Sequence, residues 1–258
     1  MPFTTAELRR ALEGGELRQI YQVLVNLRTG KVASLESVIR WQHPDRGLLH
    51  AVPFVNDVAA NGLAPEFMRW ILLTAAQQLG RWRTMSIDIP RVSVNAWPIA
   101  VRRELIDDAL QAAADAGLLP SDIEIETQPE ASYNLATLKV LHEMREAGLR
   151  VALDDFGDGD LRFDWLRDAP FDIVKLPVTF VLRSTTPYDD AVIGAGVGFA
   201  RAIGAETVAE GIETVALRDR VRALGIDIGQ GYLWSPIVPA DRIPDVIRAI
   251  GIDGARVP

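Results

Sequence analysis

Two adjacent carboxylates, Asp154 and Asp155, close the apolar run Val151-Ala152-Leu153, and Phe156-Gly157 follows. Neighbouring residues on a strand point to opposite faces, so two acids at a strand end cannot both serve the core. Their like charges repel unless a cation lies between them. Hard divalent cations take carboxylate and carbonyl oxygens, which makes a metal site the natural chemistry. An isolated pair of this kind also fits a solvated turn that ends a buried strand. Repetition changes the reading. Glu36 lies within the stretch Lys31 to Trp41, Asn95 ends Val92 to Asn95, and Glu126 ends Ile123 to Glu126. Lys175 ends Phe171 to Lys175, Glu210 and Glu213 follow Glu206 to Ala209, and Gln230 follows Ile226 to Ile228.

The elements that must position these residues alternate. Thr5 to Glu13 has helical spacing and is stopped by Gly14-Gly15. Leu17 to Leu27 and Lys31 to Trp41 read as strands joined by Arg28-Thr29-Gly30, a connection short enough to predict an antiparallel hairpin. Gln42 to Gly47 reads as a loop. Val52 to Asn61 and Pro65 to Arg83 show apolar periodicity of helical type. Strands then alternate with helices: Ile99 to Ala116, Tyr133 to Ala147, a helix around Leu161 to Arg167, segments to about Ile203, Val215 to Leu224, and Asp241 to Ile250. Alternation of this kind predicts a parallel sheet. Eight strands suffice to close a (β/α)₈ barrel, modified here by an antiparallel first strand. No linker or repeat interrupts the chain, so residues 1–258 are expected to form a single barrel domain. In such a barrel the C-terminal strand ends converge on one mouth, which is where active sites lie.

Composition narrows the chemistry. The chain has 258 residues, 48% of them hydrophobic, a net charge of -8 and no cysteine. The charge gives no polybasic surface for a DNA or RNA polymer. Disulfides, thiolate ligands and a cysteine nucleophile are excluded. No apolar run is long enough to span a bilayer, and Met1 to Glu7 lacks a signal core, so a soluble, cytoplasmic protein is expected. Five or six carboxyl groups at one mouth repel one another without counter-ions. Two divalent cations bridged by an aspartate would neutralise them. Histidine is scarce (His43, His50 and His142), which favours Mg²⁺ or Mn²⁺ over zinc. Such a site suits attack of an activated water on a phosphodiester.

The motifs in register along the chain resemble those of the EAL-domain cyclic di-GMP phosphodiesterases, from about Leu8 to about Ile250. Tyr21-Gln22 resembles the YQP segment, and Glu36-Ser37-Val38-Ile39-Arg40-Trp41 stands where EALLRW lies. Ser93-Val94-Asn95, Ile125-Glu126, Asp154-Asp155-Phe156-Gly157, Lys175, Val208 to Thr214 and Gly229 to Leu233 follow in family order. The resemblance implies that Glu36, Asn95, Glu126 and Asp154 hold one metal, and that Asp154, Asp155 and Glu210 hold a second. It implies that Lys175 polarises the attacking water and that Glu210 and Glu213 assist catalysis. Gln22, Val38, Arg40 and Gln230 would bind substrate. The implied reaction opens cyclic di-GMP to linear pGpG with Mg²⁺ or Mn²⁺, and Ca²⁺ is expected to inhibit. A homodimer, a protein partner or an additional sensory domain is also implied.

The chain departs from that pattern around the direct ligands. Asp158 to Phe163 replaces the TGYSSL loop, Pro129 stands where the family has a loop-anchoring glutamate, and Leu176-Pro177 follows Lys175. Changes of this kind around ligands typically cost about 10–100-fold in metal affinity or activity. Two readings therefore stand: a phosphodiesterase, weak or in need of activation, and a catalytically inactive receptor that signals through a protein partner. Retention of Glu36, Asn95, Glu126 and Lys175 favours the enzyme.

Overall fold

The fold is taken from a computed structural model, which describes residues 2–128, 135–157, 170–182 and 186–250. Helix α1, Thr5–Glu13, opens on a capping box in which Thr4 and Glu7 satisfy each other's backbone N–H groups. Strands β1, Leu17–Asn26, and β2, Val32–His43, form the expected antiparallel hairpin, with Gln22 opposite Glu36. Its turn follows from its residues. Asn26 Oδ1 accepts from the Arg28 and Thr29 N–H groups, and Gly30 takes the left-handed conformation at φ 70°. The segment read as a loop instead continues the sheet, because β2 runs to His43 and pairs with β3, Gly47–Leu49.

Two helices follow, α2 (Val52–Ala60) and α3 (Ala64–Thr84). The alternation then proceeds: β4 (Val92–Asn95), α4 (Arg103–Asp115), β5 (Ile123–Thr127), α5 (Leu135–Glu146), β6 (Arg150–Leu153), β7 (Ile173–Leu176), α6 (Val178–Leu182), α7 (Pro187–Ile203), β8 (Glu206–Ala209), α8 (Val215–Ala223) and β9 (Ile228–Gln230). A short β10, Val238–Pro239, and α9, Ile243–Ala249, complete the described elements. The helix expected around Leu161 to Arg167, the Asp158 to Phe163 loop, Pro129 and Tyr133 lie outside the described residues. The strand expected at Ile226 to Ile228 sits two positions later, so Gln230 lies on β9 rather than after it.

Strands β2, β4, β5, β6, β7, β8 and β9 pair in parallel in that order. Strand β1 closes the ring, antiparallel to both β2 and β9. The result is a closed (β/α)₈-type barrel of eight strands with β3 and β10 as short additions, as the sequence predicts. The main core lies between the strands and the surrounding helices and includes Val94, Ile125, Val151, Val174 and Ala209 with Leu72, Leu141 and Val197.

Positions i and i+2 on a strand share a face, and this sorts the barrel interior into layers. Leu24, Ala152, Ile173, Val208 and Ile228 form a separate buried apolar cluster. Two positions on, on the same faces, stand Asp154, Lys175, Glu210 and Gln230; on antiparallel β1 the matching residue is Gln22. Two positions the other way stand Arg150 and Glu206, which join Arg91 and Glu124. Arg91 Nε lies 2.9 Å from Glu124 Oε2, and Arg150 Nη2 lies 2.9 Å from Glu206 Oε2. The interior is thus an ionic floor, an apolar plug and a polar mouth.

Candidate active site at the barrel mouth

Sheet register brings the mouth residues together. Pairing of β4 with β5 sets Asn95 beside Glu126, and pairing of β5 with β6 sets Thr127 beside Leu153. The Asp154 N–H then donates to the Thr127 carbonyl at 2.9 Å, and the Phe156 N–H to the Lys175 carbonyl at 3.0 Å. Between these bonds the chain turns sharply. Asp155 has φ 51°, a left-handed conformation that aspartate tolerates better than most residues. Gly157 follows at φ 89°, where a Cβ would strike the Phe180 ring.

Lys175 is the centre of charge. Its ammonium is 1% exposed and lies 2.6 Å from Glu126 Oε2, 2.8 Å from Glu210 Oε1 and 3.2 Å from Asp154 Oδ1. Burial pulls the Lys175 ammonium down, but the Asp154, Glu126 and Glu210 carboxylates outweigh it and hold the group well above its ordinary value. Burial pushes the Glu126 carboxyl well above the usual range against the pull of Lys175, and Glu36 and Asp154 push the same way. Burial likewise raises Glu210 to about 7. One ammonium does not neutralise this group of acids.

Amides hold the opposite side. Asn95 Nδ2 donates to Glu36 Oε1 at 2.8 Å, and Gln230 Nε2 donates to Glu36 Oε2 at 2.5 Å and to Gln22 Oε1 at 2.9 Å. Gln22 in turn donates to the Ser235 carbonyl at 3.3 Å. A cavity of about 450 Å³ opens over Glu36, Asp154, Asp155, Glu210, Glu213 and Gln230. A second cavity of about 330 Å³ is lined by Asn95 and Glu126, with Val38, Val52, Val55 and Trp97 as apolar walls. Arg40 shares a face of β2 with Glu36 and Val38. Its guanidinium is buried and donates to the Ile39 carbonyl at 2.9 Å, and that burial lowers its pKa in spite of Glu36.

The donor set fits divalent cations. Asp154, Asp155 and Glu210 each present an oxygen within 4.8 Å of the others. Glu126 Oε1 is buried without a hydrogen-bond donor among the described residues, which is costly unless a cation takes it, and Asp154 Oδ1 is buried against the Lys175 ammonium at 3.2 Å. All candidate ligands are carboxylate or amide oxygens, the preference of hard cations. The structure therefore gathers the set expected for the second metal directly; of the first set, Asn95 donates to Glu36 and stands beside Glu126 in the sheet, and Lys175 contacts both Glu126 and Asp154. Sequence reasoning missed Gln128, whose Nε2 donates to Asp155 Oδ2 at 2.5 Å, and the wall residues Val178, Tyr232 and Ile237. A polar residue just past β5 carries no signal of that contact.

Fold and mouth define a (β/α)₈ barrel with one reversed strand and a carboxylate cluster suited to hard cations. The chain belongs to the EAL domain family, whose profile matches residues 5–237. It is 32% identical over 253 residues to the cyclic di-GMP phosphodiesterase NbdA of Pseudomonas aeruginosa, covering 96% of this chain and 32% of that protein. It is 32% identical over 241 residues to the cyclic di-GMP phosphodiesterase PdeR of Escherichia coli, covering 90% of this chain and 36% of that protein. The chain thus spans about a third of the length of these curated relatives. The PaMucR phosphodiesterase in complex with c-di-GMP superposes with a TM-score of 0.83 at 27% identity, over 92% of this chain and 98% of that one. Among the described residues no helix is long and apolar enough to cross a membrane.

Proposed function

We propose that this barrel hydrolyses cyclic di-GMP to linear pGpG with two divalent cations of the Mg²⁺ or Mn²⁺ type. The observation that carries the reading is the buried acidic cluster around Lys175, with a buried Glu126 oxygen that has no donor among the described residues. Glu36, Asn95, Glu126 and Asp154 would hold one cation, and Asp154, Asp155 and Glu210 the other. When bound, the cations supply charge neutralisation and a water acidified enough to attack phosphorus. Water oxygen bonds to phosphorus as the bond to the 3′ oxygen breaks, leaving a 5′-phosphate and a 3′-hydroxyl. Lys175, fixed by three carboxylates, holds a proton at Nζ and can orient the attacking water. Gln230 fixes Glu36, and Glu213 stands at the cavity rim. Arg40 supplies the guanidinium that suits a phosphate. Gln22 and Val38 flank the two cavities and would meet the bases.

The remaining parts of the reading are coarser. Ca²⁺ would occupy the same oxygens without supporting turnover. The relatives are about three times longer, so a sensory domain or partner protein, a homodimer and a cytoplasmic setting belong to the same proposal, with residues 1–258 acting as one catalytic unit. The test is incubation of the protein with cyclic di-GMP and Mg²⁺ or Mn²⁺, with products separated by chromatography. Appearance of pGpG, lost in Glu126→Gln, is the expected result. Tight binding without pGpG would replace the enzyme with a receptor.

A further inference from the structure

We propose that Gln128 is a positioning residue that sets the Asp155 carboxylate for metal binding; the inference rests on the two-cation reading above. Gln128 directly follows β5, and Asp155 lies two residues past β6. The parallel register that puts Thr127 beside Leu153 brings these two post-strand positions together from opposite strands. There the Gln128 amide donates to Asp155 Oδ2 at 2.5 Å. An amide NH₂ beside a carboxylate fixes one of its oxygens and with it the direction of the group.

Two further observations bear on this pose. The Asp155 backbone is held at φ 51°, away from its relaxed minima, by the bonds on either side of it, so the carboxylate leaves the turn in one direction. The same carboxylate belongs to the Asp154, Asp155 and Glu210 group whose oxygens lie within 4.8 Å of one another. Three like charges at that separation spread apart when free to do so. A neutral donor to Asp155 Oδ2 holds the carboxylate in the group without adding a positive charge that would compete with a cation. Gln128 is itself exposed and also lines the second cavity, so its replacement leaves the core untouched.

The test reads metal binding before activity. Mn²⁺ is titrated into the wild-type chain and into Gln128→Met, which keeps the length and loses the donor, with free Mn²⁺ followed by electron paramagnetic resonance. Weaker binding at one class of site by about 10–100-fold is the expected result. Gln128→Ala serves as a second variant, read the same way once its melting curve shows it folded. The Asp155→Asn background separates this role from general loosening of the loop. If Gln128 acts through Asp155, adding Gln128→Met to Asp155→Asn changes the isotherm little. An Mn²⁺ isotherm of either folded single variant that overlays wild type would overturn the assignment, as would an equal loss in the Asp155→Asn background. Wild-type protein that binds Mn²⁺ yet forms no pGpG would count against hydrolysis and leave this measurement readable.

Discussion

Replacing Lys175 with methionine tests whether the mouth carries its own counter-ion. The ammonium sits 2.6 Å from Glu126, 2.8 Å from Glu210 and 3.2 Å from Asp154, and is 1% exposed. At an effective dielectric constant near 20, one unit pair at such a distance attracts by about 6 kcal/mol before desolvation. Removal of the lysine also removes its own desolvation cost, so the net is smaller. Buried pairs broken at one partner lose about 3–5 kcal/mol, because the other charge stays buried and uncompensated. In a chain of this size each kcal/mol moves Tm by roughly 2–4 °C, so Lys175→Met should melt roughly 6–20 °C below wild type in EDTA. The variant mouth carries one more unit of net negative charge. Mn²⁺ should therefore raise the Tm of the variant by more than it raises that of wild type. Scanning calorimetry in EDTA and across an Mn²⁺ series measures both quantities. A variant as stable as wild type in EDTA, or one that gains less from Mn²⁺, would refute the view of Lys175 as an internal counter-ion.

Other substitutions separate the layers of the barrel. Glu126→Gln should abolish pGpG formation, read by chromatography, while circular dichroism stays that of wild type. Arg91→Met leaves Glu124, 1% exposed, short of its nearest cation, and should cost about 3–5 kcal/mol in urea titration with no recovery on adding Mn²⁺. Gly231→Ala would push a Cβ into the Ile212 backbone, which accepts and donates in bonds to Leu233 and Gln230, and should cost roughly 1–3 kcal/mol with a matching loss of cyclic di-GMP affinity by calorimetry. Burial pushes the Asp122 carboxyl up, but Arg83 and the Leu119 N–H pull it further the other way, below its ordinary 3.8. A group depressed in the folded state stabilises above its unfolded pKa and ceases to as pH falls through the folded one. Asp122→Asn should therefore lower Tm at pH 7 and make little difference in strong acid.

Much of this architecture was legible in the residues. The Arg28-Thr29-Gly30 turn announced the hairpin, and apolar runs alternating with helical spacing announced the parallel strands. The acids and amides at their ends pointed to the mouth, because strand ends in a barrel face one way. What could not be read was register. Gln230 was expected beyond its strand, because the Ile226 to Ile228 run carries the apolar signal while hydrogen bonding to β1 and β8 fixes the strand two residues later. The Gln128 contact joins residues 27 positions apart and depends on how β5 meets β6, which no local pattern encodes. The ionic floor was hidden for a similar reason. Arg91, Glu124, Arg150 and Glu206 come from four strands or their approaches, and each alone resembles an ordinary surface charge.

The apolar plug has a consequence for how such a protein can change over time. Arg150 and Asp154 are four residues apart on one strand line, about 13 Å at 3.3 Å per residue. Substitutions separated by more than about 10 Å without shared partners combine nearly additively. Except along β5, where Glu124 stands two residues from Glu126 and also feels the Lys175 charge, floor and mouth are then two accounts of sequence drift kept in one cylinder. Tightened ion pairing below can offset strain introduced above, and altered ligands above leave the foundation standing. A barrel of this kind can lose, weaken or regain its chemistry while it goes on folding.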